Sequence, residues 1–356
     1  MKIVFVIKPL NLCGGIERAT ILVANALAQA GHQINIVSFV GSDTTPFFEI
    51  DKRIQVYYLA PSQDKYPVVV RDIRRIVLLR KYYRRVQPDI IVLAGATRSI
   101  VNIPGAKGFK VIAWEHAAMS HHRFVPATRI SRWLSARYSE CVVALTQQDA
   151  DVYKYKLGAK RTQVIPNPLT LVNPAPSPLQ EKVVVSVGRL VSIKGFDLLL
   201  DAWKQVQHKD WTLRIVGGGK CAKKLQQKIE KENISRVEMI PQTNNVLDQY
   251  QHASIYALSS RSESFGLVLT EAMSVGLPIV SFDCGPGPKE IVEDGVNGVL
   301  VPAEDVSAMA HALDELMDQP VRRMEMGKAA LEKVKKYEMD NILSLWENLL
   351  EQICRK

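Results

Sequence analysis

The stretch "SIYALSSRSESFGLVLTEAMSVGLPIVSF", Ser254 to Phe282, decides the fold. "SIYALSS" is a short β-branched and apolar run that predicts a buried strand, Arg261 to Phe265 form its loop, and Gly266 to Ser274 have helical character. Gly276 and Pro278 stop that helix, and "LPIVSF" is a second strand. A strand, a helix and a strand in about thirty residues form a parallel βαβ unit.

The same alternation runs outward in both directions. "KIVFVI", "QINIVSF", "DIIVLA", "FKVIAW" and "CVVAL" precede it in the first half of the chain, and "KVVVSVG" and "TLRIVGG" stand between them and it. Apolar runs of this length, separated by helical patterns, indicate parallel strands covered on both faces by crossover helices. The fold class is therefore α/β, with two Rossmann-like doubly wound domains. The boundary falls in "PNPLTLVNPAPSPLQ", Pro166 to Gln180, where the prolines forbid a helix interior and favour an extended linker. Near the end of the sequence, "DNILSLWENLLEQI" has a helical apolar stripe through Ile342, Leu345, Trp346, Leu349, Leu350 and Ile353 that must pack on something.

Composition narrows the function classes. The 356 residues are 47% hydrophobic and 23% charged, as in an ordinary globular protein of about two domains. A formal charge of +10 implies anionic company. Five scattered cysteines give neither a disulfide framework nor zinc-site spacing and point to a reducing cytosol. "MKIVFVIKPLN" is too short an apolar run for a signal peptide, and no segment reaches the roughly 18 apolar residues of a membrane span, so a soluble protein is expected.

In α/β sheets the ligand sits beyond the carboxyl ends of the strands, so the loops there carry the chemistry. After the first strand, "NLCGGIERA" places Gly14 and Gly15 before a helix, giving either a tight turn or amides that suit a phosphate or sugar. After the first strand of the second half, "VGRLVSIKGFDLLL" puts Arg189 and Lys194 in one loop, either as solvated charges or as a grip on a diphosphate. In the opening stretch, Glu263 and Glu271 would lie roughly 80° apart in azimuth were both on one helix. With Glu263 in the loop, both can face one cleft, and the amides of Phe265 to Leu267 form an anion-binding helix end. "VGGGK" lacks the spacing of a P-loop, and no G-x-G-x-x-G follows the first strand. Asp149-Ala150-Asp151 is the only D-x-D and is expected to be a solvated helix start, with no metal bound.

Glu263, seven residues and Glu271 in "SESFGLVLTEAMSVGLPIV" resemble the E-x7-E signature of the retaining glycosyltransferases of family 4, which have the GT-B fold. "GGIERA", "EH" at Glu115 and His116, "ALTQQD", "VIPNP", "VGRLVSIKGFD", "IVGGG" and "GPKEIVEDGVNGVLV" follow in that family's order, so the resemblance covers nearly the whole chain. It implies two domains facing a central cleft. Residues 1–170 would be the acceptor-binding domain, joined by a C-terminal helix, 340–356, that crosses back to it, and 181–339 would bind the nucleotide-sugar. The donor site would comprise Gly14, Gly15, Arg189, Lys194, Ser264, Phe265, Gly266, Leu267 and Glu271, with Glu271 on the ribose and Arg189 and Lys194 on the diphosphate. Glu263 would contact the transferred sugar, and His116 would lie close to the anomeric carbon. His116, Arg189, Lys194 and Glu263 form the expected catalytic set. No cofactor is implied, because the cations and helix amides stabilise the leaving diphosphate without a metal. Retention would follow from front-face attack, the departing phosphate taking the proton.

The positive charge concentrates in the first half. "RDIRRIVLLRKYYRR", residues 71–85, holds seven basic residues interleaved with Ile73, Ile76, Val77, Leu79, Tyr82 and Tyr83, and "HHRFVPATRISRWLSARY", residues 121–138, is a second such segment. Either these are ordinary packed helices, or they lie on an anionic membrane with rings and stems buried. The second reading is expected, with peripheral association at the cytoplasmic face of the inner membrane. No module for base recognition is present, so nucleic acid is not expected. The function expected is transfer of a hexose or N-acetylhexosamine from a UDP-sugar to a lipid-linked or lipopolysaccharide glycan. The alternatives are GDP-mannose as donor, a GT-B UDP-sugar epimerase, and a non-catalytic nucleotide-sugar-binding protein.

Overall fold

The apolar runs become the interior strands of two parallel sheets. The computed structural model describes residues 1–39, 41, 45–60, 66–119 and 125–355. The first sheet contains β1 (Lys2–Ile7), β2 (Gln33–Ser38), β3 (Gln55–Tyr58), β4 (Ile90–Ala94), β5 (Val111–Trp114), β6 (Cys141–Ala144) and β7 (Thr162–Val164) in the order β3-β2-β1-β4-β5-β6-β7. The second contains β8 (Val183–Val187), β9 (Thr212–Val216), β10 (Val237–Ile240), β11 (Ile255–Leu258), β12 (Ile279–Asp283) and β13 (Gly298–Pro302) in the order β10-β9-β8-β11-β12-β13. Both are doubly wound, and strand order reverses between β1 and β4 in one and between β8 and β11 in the other.

Each sheet has its own core. Val4, Val6, Leu79, Tyr82, Tyr83, Ile91 and Leu93 pack together in the first, and Leu199, Trp203, Leu213, Ile255, Phe282 and Leu313 in the second. The chain divides accordingly into one unit of residues 1–170 with 338–356, and another of 171–337. The helix Met339–Cys354 belongs to the first unit, where Trp346 meets the Trp114 ring edge-on at 4.8 Å and Lys110 Nζ donates to the Ile353 carbonyl at 2.8 Å. No helix or strand forms between Ile165 and Lys182, and Ser177 is bonded to Val275 and Ala253 of the second unit.

The helix Val68–Val86 corrects one expectation. Leu79, Tyr82 and Tyr83 are buried in their own core, and Arg75 is buried against Phe39 and Asp72, so these are not the groups a membrane would receive. The opposite face exposes Val68, Val69, Val70, Ile73 and Val77, with Lys81, Arg84 and Arg85 further along. In the helix Pro126–Tyr138, Arg132 is likewise buried, while Arg129, Ile130, Trp133, Arg137 and Tyr138 are exposed. His121 to Phe124, at the start of that basic segment, lie outside the described residues, as does Lys356. No helix of the described residues is long and apolar enough to cross a membrane.

Candidate active site

Strands β8 and β11 are hydrogen-bonded neighbours, with Ile255 opposite Val184, so the loops that leave their carboxyl ends meet at the switch point of the second sheet. Those loops carry Arg189, Lys194 and Glu263. Lys194 Nζ donates to both oxygens of the Glu263 carboxylate, at 3.0 Å to Oε2 and more closely to Oε1. Arg189 is exposed, and its side chain makes no ion pair among the described residues. A paired cation and an unpaired one therefore occupy one loop.

The two loops are welded by Arg261 and Asp197, which no local pattern marks, and by Gly195. The Arg261 guanidinium grips Asp197 with two bonds of 2.9 and 2.7 Å and donates to the Ser192 carbonyl at 2.7 Å, while its backbone N–H donates to Ile193. The bond to Arg261 holds the Asp197 carboxyl below the usual carboxylate range. Gly195 takes φ +62°, and a Cβ there would stand 1.9 Å from the Ser259 carbonyl oxygen, so only glycine lets the Lys194 turn close onto the β11 loop. From the other side Gly287 supports Phe265, whose carbonyl oxygen would lie 2.2 Å from an added Cβ. Partners such as Arg261 and Asp197 are 64 residues apart, and no local pattern announces them.

Glu271 stands on the helix Leu267–Ser274 and is buried, its Oε2 accepting from the Tyr250 hydroxyl at 2.9 Å. Glu263 is in the preceding loop, so the two glutamates are not on one helix. Phe265 turns its ring into the core, edge-on to Tyr337 at 5.5 Å, and leaves its backbone to the loop. Gly266, at φ +93°, is the last residue before the helix, and Ser264 lies beside it, half-buried. This end of the helix is where amides can receive an anion.

The other expected residues belong to the first unit. Gly14 precedes the helix Gly15–Gln29, and a Cβ on it would meet Glu17 Oε2 at 2.1 Å, so the buried Glu17 carboxylate folds back over the start of its own helix. An anion is thus already present at that end, which suits sugar hydroxyls better than a phosphate. His116 follows β5, is 7% exposed and rests against the Trp114 ring at 4.3 Å. Burial pushes its pKa down to about 3, so the imidazole is neutral, and Nε2 has no hydrogen-bond partner among the described residues. A buried polar atom without a partner is a group available to a ligand.

Asp149 is not the solvated helix start that was expected. It is 5% exposed, its carboxylate accepts from the Met119 N–H at 3.0 Å, and burial pushes its pKa up to about 6. Asp151 accepts from Gln147 instead. Among the described residues no group of three or more His, Cys, Asp or Glu could hold a metal ion.

With this geometry in view, the comparisons with known proteins are specific. The family model described as Glycosyltransferase Family 4 matches residues 13–171, and that described as Glycosyl transferases group 1 matches 171–333. A protein of Haemophilus influenzae described as an uncharacterized glycosyltransferase is 33% identical over 98% of this chain and 99% of its own. The chain belongs to glycosyltransferase family 4. An alpha-1,4-N-acetyl-D-galactosaminyltransferase of Campylobacter jejuni, named for a GalNAc- and diNAcBac-containing PP-undecaprenol, is 26% identical to this glycosyltransferase over 99% of both chains. The Anabaena HepE protein in complex with UDP and glucose shares the fold, with a TM-score of 0.83, 20% identity and 99% of both chains covered.

Proposed function

We propose that this glycosyltransferase moves a hexose or N-acetylhexosamine from a UDP-sugar to a lipid-linked glycan in the assembly of a polysaccharide, lipopolysaccharide or capsule, retaining the anomeric configuration and using no metal ion. The observation that carries the donor half is the meeting of Arg189, Lys194, Glu263 and the start of the 267–274 helix at the β8/β11 switch point. The UDP and glucose of the Anabaena relative and the PP-undecaprenol in the name of the Campylobacter relative support the choice of donor and acceptor.

In this reading Arg189 and Lys194 hold the diphosphate, with the amides of Phe265 to Leu267, and Glu271, fixed by Tyr250, takes the ribose hydroxyls. Glu263 holds a hydroxyl of the sugar, and in the first unit the neutral His116 offers a substrate hydroxyl its Nε2, which has no partner among the described residues. The bond from the anomeric carbon to the diphosphate oxygen breaks, and the acceptor oxygen bonds to the same face of the carbon. The acceptor proton passes to the departing phosphate. The charge that develops on the leaving group is met by the Lys194 ammonium, held in advance by Glu263, and by the exposed Arg189 guanidinium, which is the largest catalytic contribution available here.

The acceptor half includes a peripheral membrane contact at the cytoplasmic face. Val69, Ile73 and Val77 would enter the headgroup region, with Lys81, Arg84, Arg85 and the exposed Arg129, Trp133 and Arg137 among the phosphates. Flotation with anionic liposomes at low salt checks this part, and recovery of the protein only in the unbound fraction removes it. The donor is tested by thermal shift in EDTA with UDP, UDP-glucose, UDP-galactose, their N-acetylhexosamine counterparts and GDP-mannose. A UDP-sugar at 100 times its Kd stabilises the fold by about 2.7 kcal/mol. No shift from any uridine nucleotide would overturn the reading.

A further inference from the structure

The turn that carries His116 is built around a buried cation. Arg132, 3% exposed, reaches from the helix Pro126–Tyr138 into the curl of residues 115–119. Its Nε donates to Glu115 Oε2 at 3.0 Å, Nη2 to the carbonyls of Ala117 and Ala118 at 3.3 and 2.9 Å, and Nη1 to that of Met119 at 3.1 Å. Three consecutive carbonyls thus point at one guanidinium. Glu115, itself 2% exposed, closes the curl by accepting from the Ala117 N–H at 3.0 Å through its other oxygen.

A third element locks the carboxylate. The Tyr153 hydroxyl donates to Glu115 Oε2 at 2.8 Å. Tyr153 is fully buried and stands in a π-helical turn, Val152–Lys156, directly after the helix Gln147–Asp151. Such wide turns are rare, shift the register of the side chains that follow and occur often at functional sites. A buried ion pair adds little net stability over apolar packing of the same volume, so what this network supplies is geometry. What it fixes is the backbone on both sides of His116.

We propose that Arg132, oriented by Glu115 and Tyr153, is the positioning residue for His116. It touches no substrate and acts by holding the imidazole where substrate meets it. The inference rests on the proposed contact of His116 with substrate. A misplacement of about 1 Å at a reacting centre can cost on the order of 100-fold in rate. Loss of Arg132 should therefore appear in kcat and pass through His116.

The test is a double-mutant cycle in the full chain, reading UDP release from the UDP-sugar that gives the largest thermal shift in the panel above. His116→Ala should lower kcat about 100-fold, and Arg132→Gln about 30- to 100-fold, with the donor KM within about threefold of wild type. The double variant should be no more than about twofold slower than His116→Ala alone, because the position of an absent side chain has no further effect. A purely structural Arg132 would instead give losses that multiply, and that result overturns the inference while leaving the donor reading intact. Unchanged turnover in His116→Ala would overturn both the placement of His116 and this inference. If Arg132→Gln does not fold, Tyr153→Phe takes its place in the same cycle. The loss of one hydroxyl should slow the enzyme about three- to tenfold, and that loss should vanish in the His116→Ala background. A loss that persists there overturns the inference.

Discussion

Replacing Glu263 by Gln should tighten the binding of UDP while lowering turnover, which reverses the usual expectation for a residue removed from a donor site. Lys194 is paired with the Glu263 carboxylate, at 3.0 Å to Oε2. A diphosphate on the far side of the ammonium would stand about 6 Å from that carboxylate, and two like charges at this separation repel by about 3 kcal/mol at an effective dielectric of about 20. The side chain of Lys194 is 20% exposed, so screening by water leaves roughly half of this. About 1.4 kcal/mol is a tenfold lower Kd for UDP in Glu263→Gln. Calorimetric titration of UDP into both proteins at low salt measures it directly, and the gain should shrink at 0.5 M salt. Turnover of the UDP-sugar should fall, because the carboxylate that holds the sugar has become an amide. Unchanged or weaker UDP binding in Glu263→Gln would refute the claim that Lys194 is shared between the carboxylate and the diphosphate.

Three further outcomes are expected. Arg189→Ala and Lys194→Ala should each lower turnover by about two orders of magnitude or more, and near-normal rates in both would remove them from the diphosphate grip. Gly195→Ala, whose Cβ would stand 1.9 Å from the Ser259 carbonyl oxygen at φ +62°, should cost about 3 kcal/mol or more of stability, read as a fall in the denaturant midpoint. The carboxyl of Asp149 has a pKa of about 6 in the fold, above its ordinary 3.8, so its ionisation opposes folding and stability contributed by the protonated form is lost as pH rises from about 4 to 6. Asp149→Asn removes that loss. The stability of the variant relative to wild type should therefore rise across this window by up to about 3 kcal/mol and stay level above it. A difference independent of pH would show that burial does not raise this carboxyl.

The interior strands of each sheet were legible in the sequence, to within a residue or two at their ends. The nine apolar runs read from the sequence are β1, β2, β4, β5, β6, β8, β9, β11 and β12, and the strands not read, β3, β7, β10 and β13, are the edges of the two sheets. An interior parallel strand is covered on both faces and is therefore mostly apolar, as in residues 3–7 and 90–94. An edge strand such as Gln55–Tyr58 or Thr162–Val164 is half-exposed and need not be. The Glu263 and Glu271 pair was legible because strand, loop and helix follow one another there without interruption.

Long-range polar partners were not legible. Lys194 and Glu263 are 69 residues apart and meet only because the doubly wound order makes β8 and β11 neighbours. Arg261 with Asp197, Tyr250 with Glu271, and Arg132 with Glu115 and Tyr153 share that cause. The same limit explains the misplaced tyrosines and arginines. A basic, aromatic helix suits a membrane surface or a sheet equally well by composition, and it is the packing of 68–86 on its own sheet that buried Tyr82, Tyr83 and Arg75 and left Val69, Ile73 and Val77 outside. Hydrophobic period is written locally, so the sequence by itself determined which segments become interior strands and helices and which loops hold charge. Which charges face one another is decided by strand order, a property of the whole sheet, and only the tertiary structure could supply it.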